Sequence, residues 1–237
     1  MFRALLDIVF PPLCHACREF IPDAGDLHLC VRCRGEIRAV TSPLCPICGI
    51  PFATPDGIDH ACGACLSHHP SYVEARAAAI FDGVARDLIH RFKYDRKVHL
   101  ARPLSLLTQE TLAPFAASSD AELLIPVPLH RQRLRERGFN QAVLLGRPLA
   151  KAWNIPLVVD NLKRTRWTEP QVTLSATERE TNVRGAFALA DPAAVRGKKI
   201  ILLDDVYTTG STVAECSRVL RQAGAEVVYV ITVARAV

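Results

Sequence analysis

Apolar and polar positions form short alternating blocks in the C-terminal part of the chain, and the blocks predict an α/β fold. Ile200–Leu203 is an unbroken apolar run that ends at two aspartates. Such a run suits a central strand of a parallel sheet that is covered by helices on both faces. A helical pattern over 213–223 stops at Gly224, a typical left-handed helix cap, and Glu226–Val233 is a second predicted strand. This segment therefore predicts a strand, a loop, a helix and a strand.

Comparable blocks precede this unit. Strands are predicted at Val73–Phe81, Glu122–Val127 and Ile155–Val159. Helices are predicted at Val84–Tyr94, at Leu100–Leu112, and from the Gly138-Phe139-Asn140-Gln141 turn to about Trp153, with Ala113–Asp120 as a loop. In the last of these helices Asn140 is a residue type that favours the N-cap position. We expect a mostly parallel sheet with crossover helices.

The N-terminal part has few large apolar residues and many cysteines. Four C-x-x-C pairs contain Cys14, Cys17, Cys30, Cys33, Cys45, Cys48, Cys62 and Cys65. Two adjacent pairs supply the four thiolates of a tetrahedral zinc site, so the chain has ligands for two sites. Disulfides are disfavoured because Met1–Phe10 is too short and too acidic for an export signal, and cytosolic thiols stay reduced. We expect this N-terminal segment to be a short docking helix.

The cysteine pattern is an internal repeat. Pro12-Leu13-Cys14 returns as Pro43-Leu44-Cys45, and the second pair of each set returns as well, at offsets of 31 and 32. The repeat favours two successive ribbons that each close one zinc ion, although an interleaved cross-brace is also open. Closed four-thiolate sites are usually structural, and so small a segment needs the metal to fold. The ribbons either recognise a partner or nucleic acid, or only brace the second domain.

Length and charge set the broad class. The chain has 237 residues, 49% hydrophobic residues, 22% charged residues and a net charge of +5. This composition is typical of a soluble globular protein, and the mild positive charge favours anionic ligands. No apolar run is long enough to span a membrane. We expect a cytoplasmic protein without membrane insertion, divided into residues 1–70, with the docking helix and the ribbons, and residues 71–237.

The loop after the apolar run at 200–203 is a candidate phosphate site. Thr208–Thr212 offers backbone N–H groups and hydroxyls at a helix N-terminus, and Gly210 lets the backbone close around an anion. Asp204 and Asp205 precede this loop and repel each other, so we expect them to hold ribose hydroxyls, a magnesium ion, or both. The simpler interpretation is a strand-end turn followed by a helix cap.

Basic residues concentrate in two further segments. The first has four alternate arginines: Arg131, Arg133, Arg135 and Arg137. Side chains two apart do not share a helix face, so we predict a loop that turns guanidinium groups toward an anion. The second segment spans residues 92–100 and is either a solvated face or a nucleic-acid contact. The candidate nucleic-acid residues are Lys93, Arg96, Lys97 and Arg135.

Residues 163–187 form a long polar segment of weak periodicity. A segment of this kind inside a compact domain is usually a functional lid or a disordered insert. Trp167 is available to stack on a base, although one tryptophan is weak evidence. Cys216 lies on a predicted helix, and we expect it to be a packed core thiol.

Two motifs resemble known families. The string IILLDDVYTTGST resembles the phosphoribosyl pyrophosphate (PRPP) signature of type I phosphoribosyltransferases. With IPVPLHRQRLRERGFNQA, the C-x-x-C pairs and FKY, the chain from Pro12 to Ala234 resembles the competence protein F (ComF) family. This resemblance implies zinc ribbons followed by a phosphoribosyltransferase domain.

The resemblance also implies roles for particular residues. Asp204 and Asp205 become the catalytic pair that holds the ribose hydroxyls. The PRPP-binding segment is Asp204, Asp205, Val206, Tyr207, Thr208, Thr209, Gly210, Ser211 and Thr212. The pyrophosphate loop is Pro128, His130, Arg131, Arg133 and Arg137. The flexible loop that closes over PRPP contains Gln171, Arg179 and Asn182.

The implied activity is magnesium-dependent transfer of a phosphoribosyl group from PRPP to a nitrogen base, with release of pyrophosphate. The family is linked to uptake and use of DNA in bacteria, so single-stranded DNA and competence or DNA-processing proteins are the implied partners. The base acceptor is not defined by any motif. The alternative is a PRPP-responsive protein that binds single-stranded DNA and catalyses no transfer.

Overall fold

A four-stranded parallel sheet is the centre of the protein. The computed structural model describes residues 11–22, 25–54, 56–167 and 182–237. The predicted docking helix at the N-terminus lies outside these residues. The sheet consists of β1 (Glu74–Ile80), β2 (Leu123–Pro126), β5 (Lys199–Tyr207) and β6 (Val227–Arg235), in the order β1-β6-β5-β2. The expected parallel α/β architecture is confirmed.

Helices cover both faces of this sheet. The α-helices in the described ranges are α1 (Val31–Gly35), α2 (Gly63–Ser67), α3 (Gly83–Tyr94), α4 (Ala101–Ser118), α5 (Arg131–Arg137), α6 (Gln141–Trp153) and α7 (Ser211–Gln222). Alternate residues of β5 point to opposite faces: Ile200 and Leu202 pack in the core on the α7 side, and Ile201 and Leu203 pack with α3, α4 and α6. Burial on both faces explains the unbroken apolar run. None of the helices in the described ranges is both long and apolar enough to cross a membrane.

A small antiparallel pair stands beside the main sheet. β3 (Leu162–Arg164) pairs with β4 (Phe187–Leu189), and the polar segment predicted as a lid joins them. The Arg166 side chain joins the two ends of this segment by donating to the backbone carbonyls of Asn182 and Arg184, at 3.0 and 2.8 Å. Residues 168–181 lie outside the described residues, and so do the predicted lid residues Gln171 and Arg179.

The two ribbons share several equivalent backbone hydrogen bonds. Cys14 N–H donates to the Glu19 carbonyl, and Cys45 N–H donates to Ile50 in the same way, both at 2.8 Å. In each ribbon the second cysteine pair belongs to a short helix: Cys30 precedes α1, which contains Cys33, and Cys62 precedes α2, which contains Cys65. The sequence repeat is therefore a structural repeat.

The second ribbon packs directly on the sheet, whereas the first packs on α3. Ala75 N–H on β1 donates to the Ile47 carbonyl at 2.7 Å, and Gly49 lies so close that an added Cβ would touch the Ala75 carbonyl oxygen. The positive φ of Gly49, 72°, also favours glycine. Arg18 occupies the equivalent turn of the first ribbon and is exposed. Cys45, Cys48 and Cys65 of the second ribbon thus belong to the same buried cluster as sheet residues, whereas the buried residues of the first ribbon form a small cluster of their own.

Residues 38–40 continue this cover along β1. Ile80 N–H donates to the Arg38 carbonyl at 2.8 Å, and Val40 N–H donates to the Ala78 carbonyl at 3.3 Å. The outer side of β1 is consequently paired with ribbon residues at both of its ends.

Predicted elements around α4 and β2 differ in the structure. Residues 113–118 continue α4 through Pro114 instead of forming a loop, because Phe115 and Ala116 pack against the core. Residues 155–159 form a single bridge between Leu157 and Leu124, not a full strand. Pro156 lacks an N–H group and limits further pairing.

Candidate functional site

A cavity of about 390 Å³ opens at the carboxyl ends of the central strands. Ligands of open parallel sheets bind at this edge. The predicted site residues that line the cavity are Pro128, Arg133, Arg137, Asp204, Asp205, Val206, Tyr207, Thr208, Gly210 and Thr212. The predicted residues His130, Arg131, Thr209 and Ser211 lie outside this lining. Segments far apart in the sequence therefore meet at one site.

The two aspartates belong to the end of β5, which continues past the predicted run to Tyr207. Because strand side chains alternate, neighbouring carboxylates leave the strand on opposite faces. Asp205 is buried, and its carboxylate accepts from Lys93 Nζ at 2.8 Å. Asp204 is half-buried and accepts a hydrogen bond from the Asp205 N–H, also at 2.8 Å. Burial, followed by repulsion from Asp205, raises the pKa of the Asp204 carboxyl to about 7.

Lys93 has a different position from the one predicted. It was a candidate for an exposed nucleic-acid contact, but the structure encloses it in the cavity, where its ammonium group neutralises Asp205. The pattern around residue 93 is amphipathic, and Lys93 follows the fully buried Phe92 on α3. Only the tertiary contact between α3 and β5 distinguishes it from a solvated lysine.

The phosphate loop joins β5 to α7. Gly210 has a φ of 80°, in the left-handed region, and the ring of Tyr207 covers the position that a Cβ would take. Thr208 and Thr212 line the cavity beside the first turn of α7. The Thr209 and Ser211 hydroxyl oxygens lie 2.9 Å apart and bond to each other. The loop thus places threonines and the N-terminus of α7 at the cavity, an arrangement that suits an anion.

The arginine segment is the helix α5, which corrects the predicted loop. His130 caps its N-terminus by accepting from the Gln132 N–H, and Gly138 ends it with a φ of 84°. One helical turn separates Arg133 from Arg137, so these two share the face that lines the cavity. Arg131, predicted for the pyrophosphate loop, and Arg135 are exposed and lie outside the cavity lining. The alternate spacing therefore divides the arginines between two faces.

Aromatic rings hold the inward arginines. The Arg133 guanidinium lies 5.6 Å from the Trp167 ring centre, and that of Arg137 lies 5.2 Å from Tyr94. Such cation–π contacts fix a planar cation without neutralising it. Trp167 is accordingly engaged with Arg133 and with His130, whose ring centre is 5.2 Å away. The two ends of the arginine segment are held together as well, because Asn140 Nδ2, after α5, donates to the Val127 carbonyl, before it, at 3.0 Å.

Arg164 and Gln141 are among the cavity residues that were not predicted from the sequence. Arg164, on β3, lines the cavity on the side of Asp204, and burial lowers the pKa of its guanidinium. Gln141 is 2% exposed, and its Nε2 has no hydrogen-bond partner within the described ranges. The β3 segment contains several similar basic residues, and nothing in their spacing separates Arg164 from them.

The remaining nucleic-acid candidates lie together on the surface. Arg96, Lys97 and Arg135 are all exposed. Arg96 donates to the Glu136 carbonyl at 2.7 Å, which places it against the residue that follows Arg135 on α5. These residues form one exposed basic strip beside the cavity.

The residues just before β4 are bonded to α7. Glu215 is buried and accepts the Gly185 N–H at 2.6 Å and two bonds from Arg218. Burial opposes ionisation of Glu215, but the Arg218 and Gly185 donors hold its pKa below the ordinary value. Asn182, predicted for the flexible loop, lies in this stretch, where its carbonyl accepts from Arg166. Cys216 is completely buried, which raises the pKa of its thiol and fits the predicted core role.

The eight N-terminal cysteines form two sequential groups, Cys14/Cys17/Cys30/Cys33 and Cys45/Cys48/Cys62/Cys65. Within each group all sulfur atoms lie within 4.8 Å of one another. The Cys17–Cys30 and Cys48–Cys62 sulfur pairs are 3.7 Å apart, which is too long for a disulfide. Four sulfurs around a Zn²⁺ at about 2.3 Å would be separated by about 3.8 Å. The geometry fits two structural zinc sites and the sequential pairing.

Known families account for both parts of the chain. Residues 5–66 match the double zinc ribbon domain, and residues 140–236 match the phosphoribosyl transferase domain. The chain is 36% identical to DNA utilization protein YhgH of Shigella flexneri, over 94% of this chain and 96% of that protein. It is 33% identical to competence protein F of Haemophilus influenzae, over 87% and 96%. It is 26% identical to competence protein ComFC of Bacillus subtilis, over 84% and 80%.

Proposed function

This chain belongs to the competence protein F family, in which a double zinc ribbon precedes a type I phosphoribosyltransferase domain, and on that premise we propose that it binds PRPP and transfers its phosphoribosyl group to a nitrogen base. The observation that carries the proposal is the meeting of Asp204, Asp205, the threonine loop and two arginines in one cavity. Each group suits one part of PRPP: the diol, the 5′-phosphate and the pyrophosphate.

The carboxylates bind the sugar. Asp204 and Asp205 accept hydrogen bonds from the ribose hydroxyls, and their charge stabilises the positive charge that develops at C1′. Their oxygen atoms are the donors that Mg²⁺ prefers, and Lys93 neutralises only one of them directly. A bound Mg²⁺ would offset negative charge between the pyrophosphate and the ribose.

The arginines receive the leaving group. The nitrogen of the base forms a bond to C1′ while the bond from C1′ to the pyrophosphate oxygen breaks, and that oxygen keeps the electron pair. Arg133 and Arg137 face the cavity and take up this negative charge. The proton of the attacking nitrogen passes to solvent once the site reopens. The lid that ends at Asn182 excludes water, which otherwise competes with the base.

Pyrophosphate release tests this activity. Wild-type protein with PRPP, Mg²⁺ and a panel of nucleobases is compared with the Asp204→Asn/Asp205→Asn double variant. We expect base-dependent pyrophosphate release from the wild type and its loss in the variant. Equal release from both proteins would refute the role of the carboxylates. PRPP binding without release for any base would favour a protein that senses PRPP and transfers nothing.

The exposed basic strip supports a second candidate function, binding of single-stranded DNA. Arg96, Lys97 and Arg135 are exposed together, and the strip lies next to the PRPP cavity. Binding through about 4–6 phosphate contacts should weaken with salt at a slope near −0.7 per contact. Replacing all three residues with glutamine should reduce that slope. A salt dependence equal to that of the wild type would exclude the strip as the contact.

The cellular setting follows from the family and the thiolates. We propose a role in competence and DNA use, with DNA-processing proteins as partners, because relatives carry these functions in their names. We place the protein in the cytoplasm, where thiols remain reduced and available to zinc. We also place the domain boundary near residue 70, between α2 and β1.

A further inference from the structure

Arg235 is a buried cation between the second zinc site and the phosphate loop. It is the last residue of β6, is 5% exposed, and pairs in register with Tyr207 of β5. Its guanidinium donates to the Cys48 carbonyl and lies 3.7 Å from the Cys48 sulfur. Cys48 is one of the four ligands of the second zinc site. A buried guanidinium of this kind needs a negative partner, and a zinc ion with four thiolates carries net negative charge.

The same guanidinium also contacts the phosphate loop. It lies 4.3 Å from the centre of the Tyr207 ring. The Tyr207 hydroxyl is 2.6 Å from the Tyr72 hydroxyl, and both phenols are buried. The Tyr207 ring in turn covers Gly210, the residue that gives the loop its left-handed turn. An uninterrupted series of contacts therefore runs from a zinc ligand to the backbone that surrounds the candidate phosphate.

We propose that Arg235 is a positioning residue that couples the second zinc site to the phosphate loop. The metal-bound thiolates hold the guanidinium in place, and the guanidinium holds the Tyr207 ring beneath Gly210. Loss of zinc from this site would release Arg235 and loosen the loop. The first ribbon packs on α3 and makes no such contact within the described ranges, so its zinc is not coupled in this way.

The chain supplies a matched control in Arg76. This arginine lies on β1 and donates to the carbonyl of Pro46, in the same cysteine turn, at 3.1 Å. Its guanidinium stacks on Phe115, at 5.7 Å, and not on the phosphate loop. Arg76→Gln therefore weakens the docking of the second ribbon without touching the Tyr207 contact.

The experiment compares the wild type with Arg235→Met, Arg235→Lys, Tyr72→Phe and Arg76→Gln, all loaded with zinc. Zinc affinity is measured by competition with a chromogenic chelator, and loop order by amide exchange of residues 207–213. In Arg235→Met we expect at least about tenfold weaker zinc binding at one of the two sites, since second-shell partners have effects of this size. We expect about tenfold faster exchange of the loop amides, because a buried cation–π contact is lost.

The other variants separate the two ends of the connection. Tyr72→Phe should speed loop exchange and leave zinc affinity at the wild-type value. Arg235→Lys should partly restore either zinc affinity or slow loop exchange, but not both. Its ammonium group cannot contact Cys48 and the Tyr207 ring at the same time. Arg76→Gln should leave loop exchange unchanged. Equal loop exchange in Arg235→Met and Arg76→Gln would overturn the proposal. If Arg235→Met does not fold, Arg235→Lys and Tyr72→Phe still decide it.

The consequence for PRPP affinity rests on the proposed function and is measured separately by calorimetry. Arg235→Met should bind PRPP with Mg²⁺ about tenfold more weakly than Arg76→Gln, as expected when a cation–π contact that orders the loop is lost. A wild type that fails to bind PRPP would refute the proposed function, whereas the zinc and exchange measurements would still test the coupling.

Discussion

Replacing Asp204 with asparagine should change the way that PRPP affinity depends on pH. The pKa of the Asp204 carboxyl is raised to about 7 by burial and by the neighbouring Asp205. About one molecule in eleven is then ionised at pH 6, and about ten in eleven at pH 8. If PRPP with Mg²⁺ requires the ionised form, its apparent affinity falls by the ionised fraction. Wild-type affinity should therefore rise about tenfold between these pH values.

Calorimetric titration at pH 6, 7 and 8, with saturating Mg²⁺ and fixed ionic strength, measures this effect. Phosphate groups of the ligand titrate near pH 6 and contribute to the profile of every variant. The comparison with Asp204→Asn removes that contribution, and the variant should lack the tenfold rise. Asp87→Asn, an exposed position on α3, is the control and should keep the wild-type profile. Parallel profiles for wild type and Asp204→Asn would refute the reasoning.

Four further results are expected. Arg133→Gln should weaken PRPP binding about tenfold or more, because a hydrogen bond to a charged group is lost. Arg131→Gln, on the exposed face of α5, should leave PRPP affinity unchanged, and calorimetry measures both affinities. Gly210→Ala should cost about 1–3 kcal/mol of unfolding free energy, measured by urea unfolding, because the φ of 80° and the Tyr207 ring both oppose a Cβ. Metal analysis should give two zinc ions per chain, and chelation should abolish the circular dichroism of the ribbons. The pKa of Asp204 is raised in the folded state, so its neutral carboxyl stabilises the fold. This contribution is complete below about pH 4 and is lost as pH rises through about 7. Unfolding measured as a function of pH should show that Asp204→Asn removes this pH dependence.

The strongest patterns in the sequence correspond to the most buried parts of the structure. The apolar run at 200–203 predicts a central strand because both of its faces are covered, and the cysteine repeat predicts both metal sites because the ligand spacing is local. The helix cap at Asn140 is local as well. These features depend on neighbours in sequence, so the sequence contains enough information to find them.

The sequence predictions are wrong where contacts between residues far apart in the chain determine the structure. Helix α4 continues through Pro114 because its last turn is buried against other elements. The arginines of α5 do alternate, but a short capped helix sorts them onto two faces, which a loop prediction does not anticipate. Lys93 and Arg164 join the site only because α3 and β3 meet the end of β5. The spacing of residues along the chain does not show that these elements lie next to each other.

The ribbon residues paired to the outer side of β1 have a consequence for the fate of the protein when metal is scarce. An edge strand with free backbone donors and acceptors is a template for pairing with other chains. Bonds from residues 38–40 and from Ile47 occupy that position. Without its metal the covering segment has too little core of its own to stay folded. When zinc is scarce, we therefore expect the metal-free protein to aggregate through the exposed edge of β1. We do not expect it to remain in a form that can bind zinc again.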